Sequence, residues 1–176
     1  VYFTNNFTLT ERTQESDLGV VFDNKLKFAQ HVEINVSKAR RLIGLVFRTF
    51  SSRSPSVILP LFKSVIRPIL EYASPVWNPS AIKLVKQIES VQRYVTKRIV
   101  GMSAVPYTER LCSLTLCTLQ NRRNYFDLVE LYKILHGLST VRCDTKLLSP
   151  PGRTRGHRFR LYKNKFKSCI RKSYSF

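Results

Sequence analysis

Three sets of cations recur at spacings that a fold could turn into a phosphate-binding surface. Lys38, Arg41 and Arg48 form the first, Lys83, Lys86, Arg93 and Lys97 the second, and Arg153, Arg155 and Arg158 open the third, a basic C-terminal stretch. Ammonium and guanidinium groups on long stems neutralise phosphates without reading sequence, and each contact releases a counterion. The composition points the same way: thirty Lys and Arg against eleven Asp and Glu leave a formal net charge of +19 on 176 residues. Such a surface concentrates polyanions, so nucleic acid is the expected partner. One basic helix face is usually just solvated; two faces and a basic tail favour a polyanion.

Other chemistries find no support in the spacing. Asp17 and Asp23 flank an apolar strand and fall at its ends, which suits turns and caps better than a shared metal ion. No glycine-rich phosphate loop is present. Cys112 and Cys117 are too far apart for a Cys-x-x-Cys clamp, and Cys143, His157 and Cys169 are irregularly placed, so free thiols in a reducing compartment are expected rather than zinc or disulfides. His31 and His136 fall at helix ends, where packing or a dipole role outweighs catalysis. No nucleophile-base-acid constellation can be argued.

The elements that must carry these cations are mainly helical. Hydrophobic residues make up 43% of the chain, enough for a real core, and six glycines are few for a turn-rich sheet protein. Val1 to Leu9 reads as a short hairpin around Asn5-Asn6, Thr10 to Ser16 as a loop, and Leu18 to Phe22 as a buried strand. From Phe28 to Phe50 the period changes: Val32, Val36, Ala39, Ile43, Val46 and Phe50 trace one apolar helical stripe, with the first cation set off it. A second helix runs from Pro55 to Arg67 with Val57, Leu61 and Val65 inward, and Pro68 ends or kinks it. Tyr72, Pro75, Trp77 and Pro79 mark an aromatic, proline-rich connection, with Tyr72 and Trp77 expected to pack between helices. A third helix, Ser80 to Val100, buries Val85, Ile88, Val91, Val95 and Ile99 and carries the second cation set on its polar side; Gly101 stops it. Shorter and longer helices follow over Tyr107–Leu114 and Leu119–His136. Beyond Val141 the periodicity is lost, and Phe159, Tyr162, Phe166 and Tyr174 are interleaved with the basic residues of a poorly ordered tail.

The order of several segments is more specific than any one. Asp17-Leu18-Gly19-Val20, Ser37-Lys38-Ala39, Arg67-Pro68, Leu70-Glu71-Tyr72-Ala73-Ser74-Pro75-Val76-Trp77, Val91-Gln92-Arg93, Tyr107-Thr108-Glu109-Arg110-Leu111 and Leu119-Gln120-Asn121-Arg122-Arg123 succeed one another. This succession resembles the region after the catalytic palm in reverse transcriptases of non-LTR, LINE-type retrotransposons, the jockey-like and chicken-repeat-like groups above all. The resemblance implies end-of-palm strands with a primer-grip-like hairpin over 1–27, thumb-like helices over 28–100, a C-terminal helical extension over 101–140 and a basic tail over 141–176. It implies RNA and DNA as partners, in a primer-template hybrid duplex, together with the upstream palm and fingers of the same polyprotein. Magnesium is expected for the parent polymerase through residues not present here, and no cofactor is expected on this chain.

The expected function is therefore that of a fragment of an RNA-directed DNA polymerase that holds primer and template rather than performing catalysis. The start at Val1-Tyr2-Phe3 suits a piece of a longer polyprotein. The alternatives are a non-enzymatic nucleic-acid-binding helical module derived from a mobile element, or a decayed element with no retained role. No membrane partner is expected, since no apolar run is long enough to span a bilayer. The expected location is nucleus and cytoplasm.

Overall fold

The computed structural model of the protein describes residues 3–4, 7–8 and 12–140. Two small antiparallel sheets precede a helical body. β1 (Phe3–Thr4) pairs with β2 (Phe7–Thr8) in the register Phe3–Thr8 and Thr4–Phe7, as the Asn5-Asn6 signal predicts. β3 (Gln14–Asp17) pairs with β4 (Val20–Asp23), Asp17 opposite Val20 and Gln14 opposite Asp23.

The second hairpin corrects two expectations. Gln14–Asp17 is a strand, not a loop. All four of its residues are exposed, so no alternating apolar pattern marks it, and pairing with β4 holds it extended. Leu18 does not belong to a buried strand. Leu18 and Gly19 are the two central turn residues, at φ of 46° and 82°, the positive pair that matches the twist of a two-residue hairpin. The Leu18 side chain is 85% exposed, and only Val20 is fully buried in β4.

Asp23 then organises the entry to the first long helix. Its carboxylate accepts from the backbone N–H groups of Lys25, Lys27 and Phe28, the last at 2.7 Å. Burial raises its pKa, but these donations together outweigh that and hold the carboxyl below its ordinary value. It is a turn-and-cap residue, and Asp17 lies at the other end of the hairpin.

Helix α1 (Ala29–Thr49) buries the expected stripe of Val32, Val36, Ala39, Ile43 and Val46; Phe50, just past its end, is exposed. Then come α2 (Pro55–Leu61), one turn of π-helix (Phe62–Ile66) and α3 (Arg67–Glu71) as a continuous run. Pro68 neither ends nor breaks this run. A proline ring collides with the carbonyl four residues back in a regular helix, and the wider turn, closed by Arg67 N–H donating to the Phe62 carbonyl, makes room for it. The buried stripe is Ile58, Phe62, Ile66 and Leu70, one residue on from the expected Val57, Leu61 and Val65; Val57 and Leu61 are half-buried and Val65 is exposed.

Helix α4 (Ser74–Trp77) follows a left-handed Ala73 at φ 51°. Trp77 is 1% exposed, its indole N–H donates to the Tyr72 carbonyl at 2.6 Å, and its ring meets the His31 ring edge-on at 4.9 Å. Tyr72 itself is exposed rather than packed between helices. Helix α5 (Ile82–Lys97) buries Leu84, Ile88, Val91 and Val95, with Val85 half-buried; Ile99 beyond its end is also buried, and Gly101 leaves at φ 78°. Helices α6 (Tyr107–Ser113) and α7 (Leu119–Leu135) complete the body, and Gly137 at φ 67° follows α7. The architecture is mainly helical with small antiparallel hairpins at the start. The expected poorly ordered tail lies outside the described residues.

Helices α1 and α5 run parallel and side by side. Arg40 meets Ser90 and Phe47 meets Tyr94, and the first turn of α1 lies across a groove from the first turn of α5. No helix among the described residues is long and apolar enough to cross a membrane.

Candidate nucleic-acid interface

Helical periodicity decides where the cations go. With the α1 stripe inward, Lys38, Arg41 and Arg48 fall on its solvent side, and all three are exposed. On α5, Lys86, Arg93 and Lys97 share a row, with Lys83 one turn before Lys86, and all four are exposed. Among the described residues, none of the seven takes part in an ion pair. The ion pairs there are Arg12–Glu15, Arg67–Glu71, Arg122–Glu71 and Lys133–Glu130. Arg153, Arg155 and Arg158 lie outside the described residues.

The seven are not equivalent. Arg93 stacks its guanidinium 4.0 Å over the Tyr107 ring, which ties α5 to α6. Arg48 and Lys97 stand in the last turns of their helices, where they also complement the negative dipole end. Lys83 and Lys86 line a groove of about 1160 Å³ between α1 and α5, together with Lys27 and Arg40. Lys38, Arg41, Arg48, Arg93 and Lys97 are outside this groove.

Sequence reasoning missed Lys27 and Arg40. Arg40 belongs to the flank that faces α5, where its Nη2 donates to Ser90 Oγ at 3.1 Å. Its position one residue before Arg41 turns it toward the neighbouring helix. Arg53 and Arg98 were also missed; both stack on Phe47, at 4.4 and 5.4 Å, and Arg98 also on Tyr94 at 4.2 Å. Basic residues interleaved with aromatics were the available signal.

Beneath the basic faces lies a buried polar layer that fixes α5 and α7 on the body. Glu89 accepts from the Tyr107 hydroxyl and from the Leu119 backbone N–H, the latter at 3.0 Å. Burial first, and Glu89 second, raise the Tyr107 pKa, so this phenol stays protonated as a donor. Glu71 takes a two-pronged contact from Arg122, at 2.5 and 3.0 Å, and Arg67 stands 3.7 Å away. Arg123 is fully buried and donates from Nε to Asn78 Oδ1 at 3.1 Å, while Asn78 Nδ2 donates to Asp127 Oδ2 at 2.6 Å. Burial lowers the Arg123 pKa, partly offset by Glu89, Glu71 and Asp127. These acids are committed to structure.

His31 is structural as well. Its Nδ1 accepts from the Val21 backbone N–H at 3.2 Å, and the Asn35 amide Nδ2 stands 2.9 Å from its Nε2. Among the described residues, no three His, Cys, Asp or Glu side chains come together as a metal-binding group. Cys112 and Cys117 are exposed free thiols, and Cys143 and Cys169 lie outside the described residues.

No protein-family profile and no solved structure matches the chain. It is 26% identical over 125 residues to an uncharacterised protein of Caenorhabditis elegans, a match covering 69% of this chain and 63% of the nematode protein. It is 28% identical over 87 residues to a "probable RNA-directed DNA polymerase from transposon X-element" of Drosophila melanogaster, covering 48% of this chain and 10% of the fly protein. The chain thus spans less than two thirds of either relative's length, and its similarity to a transposon polymerase is weak and partial.

Proposed function

We propose that the protein is a nucleic-acid-gripping part of a non-LTR retrotransposon RNA-directed DNA polymerase, and that α1 to α5 act as its thumb. The observation that carries this reading is the set of seven exposed cations on two parallel helices, outside every ion pair of the described residues. The partial similarity to the fly transposon polymerase supports it. Lys38, Arg41 and Arg48 on α1, and Lys83, Lys86, Arg93 and Lys97 on α5, neutralise phosphates of a primer-template hybrid. An A-form-like duplex offers regular phosphates and a shallow minor groove, which are met by shape rather than by base identity. The basic stretch with Arg153, Arg155 and Arg158 adds non-specific grip. The palm and fingers upstream in the same polyprotein supply the catalytic carboxylates and magnesium.

Binding of a labelled RNA–DNA hybrid across a salt series tests this. About six phosphate contacts imply a loss of roughly a thousandfold between 50 and 200 mM salt. Changing Arg41 and Arg48 to Gln removes two contacts and should lower the slope of log affinity against log salt by about 1.8. A salt-independent affinity, or an unchanged slope in that variant, defeats the reading.

A further inference from the structure

We infer that the groove between α1 and α5 is a separate site for single-stranded nucleic acid, distinct from the outward helix faces. This rests on the nucleic-acid reading above and shares Lys83 and Lys86 with it, but adds Lys27, Arg40 and Glu33, which that reading does not use. Lys27 and Arg40 stand on one wall and Lys83 and Lys86 on the other, with Glu33 as the one acid among the described lining residues. The aliphatic part of the lining is Leu26, Ala29, Ala81 and Leu84. At about 1160 Å³ the space exceeds the roughly 300–1000 Å³ of small-ligand pockets, so it accommodates a length of chain.

The shape selects the strand. A duplex is convex, keeps its bases stacked inside and can touch only the rim. A single strand lays sugar and base edges against the aliphatic lining residues while its phosphates reach cations on both walls. The first turn of α5 opens into the same space. Its N-cap is Ala81, which offers no side-chain acceptor, and no acid stands in that turn, so the positive end of the helix dipole adds to the charge of the lysines. Neither Lys27, Lys83, Lys86 nor Glu33 is in an ion pair among the described residues, so charge complementarity favours an anionic strand there.

The test compares short poly(dT) with an RNA–DNA hybrid on the full chain, with far-UV circular dichroism to confirm folding. Ala29→Trp places a bulky ring in the lining without changing charge. It should weaken poly(dT) binding by about tenfold, the equivalent of one lost base contact, and leave hybrid binding unchanged. The double change Lys27→Gln with Arg40→Gln should lower the poly(dT) salt slope by about 1.4 and spare the hybrid slope. Glu33→Gln should tighten poly(dT) binding. Unchanged poly(dT) affinity in the Ala29 variant, or equal slope losses for both nucleic acids, overturns the inference, as does displacement of poly(dT) by polyglutamate as readily as by another oligonucleotide. If Ala29→Trp fails to fold, the Lys27/Arg40 and Glu33 variants decide. Loss of hybrid binding in the Arg41/Arg48 variant reports on the outward faces alone, so the two readings can fail independently.

Discussion

The Tyr72 hydroxyl donates to the Leu18 carbonyl at 3.0 Å, joining two residues 54 apart in sequence. Leu18 is a non-glycine residue at positive φ, and the bond pins its turn against the end of α3. Tyr72 thus holds the β3–β4 hairpin on the helical body from an exposed position.

The hairpin should therefore loosen before the body does. Tyr72→Phe removes one solvent-accessible hydrogen bond and should cost about 0.5–1 kcal/mol. Gly19→Ala should cost more, about 1–2 kcal/mol, because φ is 82° there. Space is not the cause, since the added methyl would meet Tyr72 Cε1 at an ordinary 3.7 Å. Amide exchange should quicken over 14–23 in both variants and stay unchanged in α5. Uniform quickening along the chain would show that the hairpin and body unfold together.

Trp77 is the single tryptophan and is buried, so its fluorescence reports on the core. Emission should be blue-shifted, resistant to aqueous quenchers and indifferent to added nucleic acid. Strong quenching by a single strand would mean that the indole stacks on bases instead. Trp77→Ala should cost about 3–5 kcal/mol, the range for a large buried aromatic.

Stability should fall on mild acidification because of His31. Burial, and then the positive charge of Lys38, lower its pKa from the ordinary 6.5. Between the folded value and 6.5 the unfolded chain binds more protons, so stability rises with pH in that window. It is fully present above about pH 6.5 and is lost as pH falls through the folded value, where protonation removes the lone pair that accepts from Val21 N–H. His31→Gln should flatten the fall in melting temperature as pH is lowered from neutral through the ordinary histidine value and below. An identical pH slope in the variant would remove His31 as the cause.

Primer extension by the isolated chain should yield no template-dependent product with magnesium or manganese. Asp23 spends its carboxylate on three backbone N–H groups, and Asp17 sits at the opposite end of the hairpin, so the two cannot share a pair of metal ions. Incorporation above a no-protein blank would contradict this.

Period alone determined the long helices. Val32 to Val46 on α1 and Ile88 to Val95 on α5 repeat every three or four residues, so the core side follows, and with it the solvent-facing placement of Lys38, Arg41, Arg48, Lys86, Arg93 and Lys97. Local chemistry also sufficed for Asp23 as a turn residue and for Gly101 as a helix exit. Tertiary structure decided what period cannot carry. Whether the stripe of the second helical run begins at Val57 or Ile58 depends on packing, and Pro68 adds a π turn that shifts the rows after it. Gln14–Asp17 has no apolar alternation and is extended only because β4 lies beside it. Lys27, Arg40, Lys83 and Lys86 share one groove only because α1 and α5 pack in parallel; helix periodicity orders neighbours within one helix and says nothing of which helix lies alongside.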